Sequence, residues 1–244
     1  MNFSENDFQV QRSFCVITKI SRRLFVYLSL SLCFLWKNTS RTFLIGGLIF
    51  ITLPIFSQKT MSKERTYTMK KGRHHADKLL KNRLLWHIKT LHWYNRFDTS
   101  ARYIIKNSEG TIHEDQHDWS KLSGMTFTPW QPRRNTAMAG WRYNNVTDSI
   151  ELTPYFHVNG LRIFKDDPHL TIAVNEPFEH EVYLNYETKE ITVTIRTHRA
   201  ELSETHEFTT FRKWLVQIHP YFGGNKRAPR TIKLRVKRET LKRK

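Results

Sequence analysis

Residues 179–195 read EHEVYLNYETKEITVTI, and this stretch decides the fold class. In its second half Ile191, Val193 and Ile195 share one face and threonines occupy the other, which is the period of a half-buried strand. Residues 179–186 predict a second strand, and the polar residues between the two turn the chain. The stretch therefore predicts an antiparallel hairpin with one face in a core.

The same alternation returns near the C-terminus, where residues 231–237 read TIKLRVK. Its apolar residues predict an inward face of a strand. The residues between them are all basic, and we expect them to face solvent and to bind anions. These candidate anion-binding residues are Lys233, Arg235 and Lys237.

Further strand candidates follow one another at short intervals, without intervening amphipathic helices. They lie at 124–128, 138–143, 149–158, 161–165, 170–174, 202–208 and 215–219. Turn sequences separate them, and Asn159-Gly160 is the strongest, because a type I′ turn needs positive φ at both central residues. This spacing predicts an all-β, two-sheet antiparallel β-sandwich of the jelly-roll or concanavalin-like kind over residues 65–238.

Residues 78–94 allow two interpretations. Leu80, Leu84 and Ile88 recur every four residues, as on one face of a helix. The stretch 84–94 is rich in Trp, Ile, Thr and Tyr, which are better strand formers, so a strand is favoured there.

The first 60 residues are predicted to be an extension that does not join the sandwich core. Its apolar runs, 24–36 and 43–56, are each shorter than the about 20 residues of a membrane-spanning helix. Three interpretations stay open: a secretory signal at 43–58, a membrane anchor made of both runs, or translation that starts at Met61. The first predicts a secreted or envelope protein and the third a cytoplasmic one, and a membrane partner is expected only through 24–56.

Both cysteines, Cys15 and Cys33, also lie in this extension. The remainder of the chain therefore has neither a disulfide scaffold nor a thiolate metal site.

The net charge of +18 is unevenly distributed along the chain. Residues 1–60 carry +5, residues 61–225 carry +4, and residues 226–244 carry +9. Half of the net charge therefore lies in the last 19 residues, which end in a predicted basic tail at 239–244. Such a segment can neutralise phosphates, so nucleic acid is one candidate partner; a solvated strand face with a frayed end is the rival interpretation.

Residues 113–117 read HEDQH, which matches the H-E-x-x-H pattern of zinc hydrolases. That chemistry needs a helix, whereas the flanking residues are polar and turn-forming, so a solvated loop is favoured. Glu179 and Glu181 share a strand face as a glycosidase pair would, but a solvent-facing role is favoured. The chain contains no G-x-S-x-G elbow, Walker loop or G-x-G-x-x-G fingerprint. We expect no catalytic residue, no metal site and no cofactor.

Aromatic residues make up 13% of the chain, and several fall near predicted strand ends. These are Trp119, Trp130, Trp141, Trp214, Tyr221 and Phe222. Such rings can stack on sugar rings or bases when polar residues lie beside them, although core filling is their commoner role. The candidate ligand-binding residues are Trp141, Arg142, Tyr221, Phe222 and Asn225.

Four short segments, in this order along the chain, resemble those of a group of small bacterial and phage proteins without an assigned activity. They are Lys71-Gly72-Arg73-His74, residues 118–124 (DWSKLSG), Gly140-Trp141-Arg142-Tyr143, and residues 220–225 (PYFGGN) with Ala228-Pro229. The resemblance covers about residues 65–238 and implies a concanavalin-like or jelly-roll β-sandwich, with no catalytic residue to carry over. Ser120 and Arg230 depart from the group, where Asn and His are usual, which puts in doubt any ligand bound at those positions.

These observations favour a non-enzymatic binding module for carbohydrate or another anionic surface polymer. The first alternative is a polysaccharide lyase or hydrolase with a basic cleft, for which His157, His219 and Tyr221 are the candidate bases. The second is a nucleic-acid-binding or phage-associated structural protein that uses the basic C-terminus.

Overall fold

The computed structural model describes residues 59–77 and 83–242, in which fourteen strands form. In chain order they are β1 (Lys59–Met61), β2 (Arg65–Met69), β3 (Arg83–Trp86), β4 (Ile88–Phe97), β5 (Ser120–Thr126), β6 (Thr136–Asn144), β7 (Ser149–Val158), β8 (Leu161–Phe164), β9 (Leu170–Ala173), β10 (Pro177–Asn185), β11 (Glu190–Arg196), β12 (Glu201–Glu207), β13 (Trp214–Ile218) and β14 (Ile232–Lys242). Two short 3₁₀ turns, Thr99–Ala101 and Glu114–His117, are the helical elements of the described residues.

The strands form two antiparallel sheets of seven strands each. The first sheet has the order β1-β14-β4-β10-β11-β12, and β2 also pairs with β14. The second sheet has the order β3-β13-β5-β6-β7-β8, and β9 also pairs with β7. This is the two-sheet antiparallel β-sandwich of the jelly-roll kind that the sequence predicts.

The alternating sequences set which side chains fill the space between the sheets. In the β10–β11 hairpin, Val182 lies opposite Val193 and Leu184 opposite Ile191, and all four are buried. Strand β14 repeats the pattern: its inward apolar residues are buried, while Lys233 and Arg235 between them are exposed. The period-two prediction for both segments is confirmed, because inward side chains from each sheet meet in one core.

Large aromatic side chains dominate that core. The rings of Phe97 and Trp141 lie 4.4 Å apart, and Tyr103 meets Trp141 edge-on at 6.0 Å. Phe222 reaches the same cluster from the loop before β14, with its ring 5.1 Å from that of Tyr103. Each such side chain contributes about 1.5–3 kcal/mol through burial.

The imidazole of His180 on β10 is among the polar side chains that are fully buried. Its Nδ1 accepts a hydrogen bond from the Asn95 amide at 2.8 Å, and its Nε2 donates to the carbonyl of Ser123 at 2.9 Å. The ring also stacks on Trp93 at 4.6 Å. These contacts favour the neutral form of the imidazole. The hydrogen bond to Ser123 also links the two sheets, because β10 belongs to the first sheet and β5 to the second.

We expect the stability of the fold to decrease in acid because of His180. Burial lowers the pKa of His180 to about 3, from 6.5. Between these values the unfolded chain binds a proton that the native chain does not. Stability is therefore complete above pH 6.5 and falls as the pH drops, by about 1.4 kcal/mol per pH unit for this group. Urea denaturation between pH 7.5 and about 4.5 measures the slope.

The matched variants are His180→Gln, which removes the titrating group, and His117→Gln, which changes an exposed histidine. The first is expected to be less stable at neutral pH and to show a shallower decline in acid. The second is expected to follow the native curve. An undiminished slope in His180→Gln would contradict the assignment of the acid sensitivity to this residue.

The chain boundaries differ from the expected ones at both ends of the domain. Lys59 and Thr60, assigned from sequence to the N-terminal extension, pair with Leu241 and Thr240 in the first sheet. Strand β14 continues to Lys242, through part of the segment expected to be a basic tail, because it stays paired with β4. The sandwich therefore includes strand residues outside 65–238.

The two apolar runs at 24–36 and 43–56 lie outside the described residues, as do residues 78–82. No helix in residues 59–77 and 83–242 has the length and apolar character needed to cross a bilayer. The strand favoured for residues 84–94 is confirmed, as two strands that meet at His87, whose φ is 52°.

Candidate functional site

The HEDQH segment lies in a loop, and this loop is less solvated than the sequence leads us to expect, since Gln116 is buried. Its last four residues form a single 3₁₀ turn, and the imidazole of His113 accepts the backbone amide of Asp115 at 3.1 Å. Gln116 is buried and donates to the carbonyl of Tyr143 at 3.1 Å, so it ties the loop to β6. Across the described part of the chain, no three His, Cys, Asp or Glu side chains are grouped to hold a metal ion.

Two of the predicted ligand-binding residues, Trp141 and Phe222, belong to the core. Their exposed fractions are 0% and 1%, so no ligand can contact either ring. The prediction for these two residues is wrong. Strand β6 directs Trp141 toward the opposite sheet, whereas its neighbour Arg142 points to the outer face. Phe222 packs in the same core, with its ring 6.3 Å from that of Trp141.

The outer face of the second sheet carries its own small apolar cluster. Trp119, Met138 and Tyr155 are buried there, apart from the main core, and Phe164 packs against them. The sheet register creates the cluster, since Met138 lies opposite Tyr155 and Tyr155 lies opposite Phe164 on three adjacent strands. The Tyr155 and Phe164 rings stack with an interplanar angle of 5°.

A cleft of about 210 Å³ opens over this cluster, and we call it the outer-face cleft. It combines aromatic, cationic and acidic side chains from β5, β6, β7, β8 and their loops. Its lining residues are His117, Asp118, Trp119, Lys121, Arg142, Tyr155, Arg162, Phe164, Asp166 and Gly224.

Two glycines allow the chain to pack closely beside the cleft. A Cβ atom on Gly140 would lie 3.2 Å from the Thr153 side chain and 3.4 Å from the Trp119 ring, so it would be in tight contact with both. A Cβ atom on Gly223 would lie only 2.1 Å from the carbonyl oxygen of Trp119. The Gly223 amide donates to the hydroxyl of Ser120 at 3.0 Å, which fixes the 220–225 segment against β5.

Arg142 holds the acidic end of the cleft together. Its Nε donates to Glu151 Oε2 at 2.5 Å, and its Nη1 donates to Asp166 Oδ1 and to the carbonyl of His117, each at 3.0 Å. The guanidinium carbon lies 4.2 Å from the centroid of the Trp119 ring, and the indole Nε1 donates to Asp166 at 2.8 Å. Arg142 is thus neutralised by its partners, and it covers the indole.

The carboxylate of Glu151 is nearly buried, and its environment selects the ionised form. Burial alone would raise the pKa of Glu151, but hydrogen bonds from Asn144 and Arg142 and the charge of Arg142 outweigh it, so the pKa is lowered. Glu151 and Arg142 form an ion pair with side-chain exposures of 8% and 16%.

Lys121 and Arg162 supply positive charge to the cleft. The carboxylate of Asp118, another lining residue, attracts both cations without forming a salt bridge, and Lys121 Nζ donates to the carbonyl of Trp119 at 2.8 Å. Lys121 Nζ lies 5.0 Å from the Tyr155 ring centroid, and the Arg162 guanidinium lies 5.0 Å from that of Phe164. Burial lowers the pKa of Lys121 to about 8, and the charges of Arg162 and Arg133 contribute to the shift. Within the described residues, neither Lys121 nor Arg162 lies within salt-bridge distance of a carboxylate.

The other predicted ligand-binding residues lie in or near the cleft. Arg142 lines it, and Tyr221 lies beside it, with its ring 5.9 Å from Lys121 Nζ and stacked on His74 at 5.2 Å. Asn225 is exposed and follows the lining residue Gly224.

The predicted anion-binding residues Lys233, Arg235 and Lys237 lie elsewhere. They project from β14 in the first sheet, where Arg235 is opposite Arg96 of β4, so they are separate from the outer-face cleft. Their role in binding anions stays a prediction.

The two residues that depart from the resembled group make structural contacts. Ser120 is 1% exposed and accepts the Gly223 amide, and Arg230 donates to the carbonyl of Arg102 at 3.0 Å. Neither residue lines the outer-face cleft.

Sequence reasoning did not select the residues that give the cleft its charge and its aromatic floor, which are Lys121, Tyr155, Arg162 and Phe164. They come from three strands, and only Lys121 lies in one of the segments of the resemblance, 118–124. The alternation within β7 and β8 places them on one face, but a pattern of alternate residues does not say which strands are neighbours.

No protein-family model and no curated protein matches this chain. Among solved structures, it is similar to winged bean acidic lectin in complex with methyl-α-D-galactose, with 8% identity, a TM-score of 0.37, and coverage of 75% of this chain and 100% of that one. Peanut lectin with a bound peptide has 5% identity, a TM-score of 0.40 and coverage of 75% and 98%. A tail fiber protein of an E. coli phage has 9% identity and a TM-score of 0.36, and the match covers 77% of this chain and 22% of that one.

At these identities and TM-scores the similarities carry no information about function. The function of this chain has to be inferred from its own residues.

Proposed function

We propose that the outer-face cleft binds an acidic carbohydrate. The observation that carries the proposal is the pair Lys121 and Arg162, two cations that form no salt bridge within the described residues and lie over the rings of Tyr155 and Phe164. The single carboxylate of Asp118 acts on both, so a second anionic group can still be bound between them. In this proposal a carboxylate or sulfate of the ligand lies between the two cations, and the sugar ring lies against the half-buried Phe164.

The electrostatics of the cleft favour an anionic group over a neutral one. Arg142 is already bound to Glu151 and Asp166, so its charge is satisfied. Lys121 has a lowered pKa because it is buried near other cations, and a ligand anion would offset both effects. Hydrogen bonds between a cation and a carboxylate are about twice as strong as those between neutral groups.

The size of the cleft suits one sugar ring. Its volume of about 210 Å³ is below the usual range for drug-sized ligands, which is about 300–1,000 Å³. The partly exposed ring of Phe164 provides apolar contact for the C–H surface of a sugar, while the cations provide the charge selectivity.

Binding accounts for the cleft better than catalysis does. None of the three candidate bases, His157, His219 and Tyr221, is among the lining residues of the cleft. Tyr155 does line the cleft, but burial raises the pKa of its phenol, so the phenol stays protonated at neutral pH. These features support a binding module rather than a lyase or hydrolase.

The experiment is titration calorimetry of the full chain with tetragalacturonate and with neutral cellotetraose. We expect measurable binding of the acidic tetrasaccharide and at least about tenfold weaker binding of the neutral one. Arg162→Gln and Lys121→Gln should each weaken binding by about tenfold or more, since a hydrogen bond to a charged group contributes about 1.5–3 kcal/mol. The control is Lys233→Gln, an exposed lysine of the other sheet, and its affinity should be unchanged.

The pH dependence gives a second readout. Lys121, which shares the cleft with Arg162 and Asp118, loses its charge as the pH rises through about 8, so affinity should decrease there. Weak binding that responds to Lys233→Gln but not to the cleft variants would refute the proposal. Release of unsaturated uronate products would instead make the cleft a lyase active site.

A further inference from the structure

Trp130 is the most exposed aromatic residue in the described part of the chain, and the proposed function does not use it. It lies in the loop between β5 and β6 with 85% of its surface exposed, beside Pro129 and one residue before the Gln131-Pro132 pair. A single exposed apolar residue needs no special explanation, so the case for a ligand contact rests on the fixed loop that presents Trp130 and on its basic neighbours.

The loop that presents Trp130 is fixed by hydrogen bonds on both sides of the residue. The amide and the carbonyl of Gln131 bond to the carbonyl and the hydroxyl of Thr128, each at 2.9 Å. The amide of Arg134 donates to the Gln131 carbonyl at 2.9 Å, and the amide of Gly160 donates to the Arg134 carbonyl at 2.9 Å. Trp130 is therefore carried on an ordered turn that is attached to the turn between β7 and β8.

This turn lies at the cationic end of the outer-face cleft. The loop leads into β6 at Thr136, which pairs with His157, and His157 pairs with the cleft residue Arg162. Arg133, three residues after Trp130, is close enough for its charge to lower the pKa of Lys121. The two segments at this end, 127–135 and 159–165, contain basic residues and no acidic one.

We infer that Trp130 and Arg133 form a second subsite, so that the ligand of the outer-face cleft is an acidic polysaccharide chain rather than a single sugar. This inference rests on the proposed function of the cleft. A chain that leaves the cleft past Arg162 would meet Arg133 with a further acid group and Trp130 with a further ring. Aromatic stacking and charge contacts at consecutive sugars would then add to affinity.

An anionic membrane surface is the competing partner for an exposed Trp next to arginines. The apolar surface available for insertion is small, because Leu161, at 71% exposure, is the other strongly exposed large apolar residue in these two segments. The attachment of the turn to the cleft edge favours a ligand that extends out of the cleft.

The test is titration calorimetry of the full chain with oligogalacturonates of two, four and six residues. We expect the native chain to bind the hexamer about tenfold more tightly than the dimer. Trp130→Ala should remove most of this gain and leave dimer binding unchanged. The matched control is Val146→Ala, which truncates an apolar side chain of equal exposure, 85%, in the turn between β6 and β7, and it should keep the full gain.

The outcomes separate this inference from the proposal on which it rests. If no oligomer binds, the proposed function fails and the second subsite fails with it. If the dimer binds but length has no effect, or if Trp130→Ala keeps the gain, only the second subsite is overturned. Flotation with vesicles containing phosphatidylserine is the last arm: vesicle binding that requires Trp130, without a length effect, would assign the turn to membranes.

Discussion

Replacing Trp141 with alanine is expected to lower the free energy of unfolding by about 3–5 kcal/mol, the range for a large aromatic residue lost from a core. The ring has no exposed surface and packs against Phe97, Tyr103 and Phe222, which come from three separate parts of the chain. Its removal leaves a cavity that residues on two opposed sheets cannot close. Urea denaturation followed by circular dichroism measures the loss.

The matched control is Trp130→Ala, which truncates the same side chain at a site with 85% exposure. It should change stability by no more than about 0.5 kcal/mol. Comparable stability losses in the two variants would mean that the inward orientation of Trp141 is wrong. Trp141→Phe, which keeps most of the apolar contact, should fold and bind acidic oligosaccharide as the native chain does.

Replacing Arg142 with methionine is expected to destabilise the fold by about 3 kcal/mol, although Arg142 lies on the outer face of its sheet. Met keeps the aliphatic part of the side chain and removes the guanidinium, with its charge and its hydrogen bonds to Glu151, Asp166 and the carbonyl of His117. Glu151, whose side chain is 8% exposed, would lose the guanidinium and keep its negative charge beside the Asn144 amide, at 2.7 Å, and His169, at 3.7 Å. Trp119 would also lose the guanidinium over its ring and become open to solvent.

The second variant combines Arg142→Met with Glu151→Gln. It separates the stability lost through the unneutralised charge of Glu151 from the stability lost through packing on Trp119. It should recover most of the stability, because a neutral amide can be buried at lower cost than an unpaired carboxylate. The single variant should also become relatively more stable in mild acid, where Glu151 can take up a proton. Equal stability of the single and double variants at neutral pH would show that the ion pair contributes little.

The architecture was predictable from local sequence patterns. The predicted and observed bounds of two neighbouring strands show how closely they agree. The strand expected at 149–158 forms as Ser149–Val158, and that expected at 161–165 ends one residue earlier. The Asn159-Gly160 turn between them has positive φ at both residues, as a two-residue hairpin turn requires. Alternation and turn propensity are properties of neighbouring residues, so the sequence reveals them directly.

The aromatic residues show where that reasoning ends. Trp141 and Phe222 have polar and aromatic sequence neighbours of the kind found in binding sites, such as Arg142 and Asn225. Both nevertheless fill the core. Trp119 and Tyr155 lie with Phe164 on the opposite face of the second sheet, under a cleft. In these segments both faces of the strand carry large apolar or aromatic residues, so the period of two does not distinguish the inward face from the outward one.

The sequence by itself determined that the chain beyond residue 64 forms paired strands with alternate burial and tight turns, and that the strand at 232–236 has a basic outer row. Only the tertiary structure decided that Lys121, Arg142 and Arg162 meet over one aromatic cluster. The reason is physical: alternation fixes two faces for each strand. Which face the partner sheet covers, and which distant strands become neighbours, depend on contacts between residues far apart in the chain.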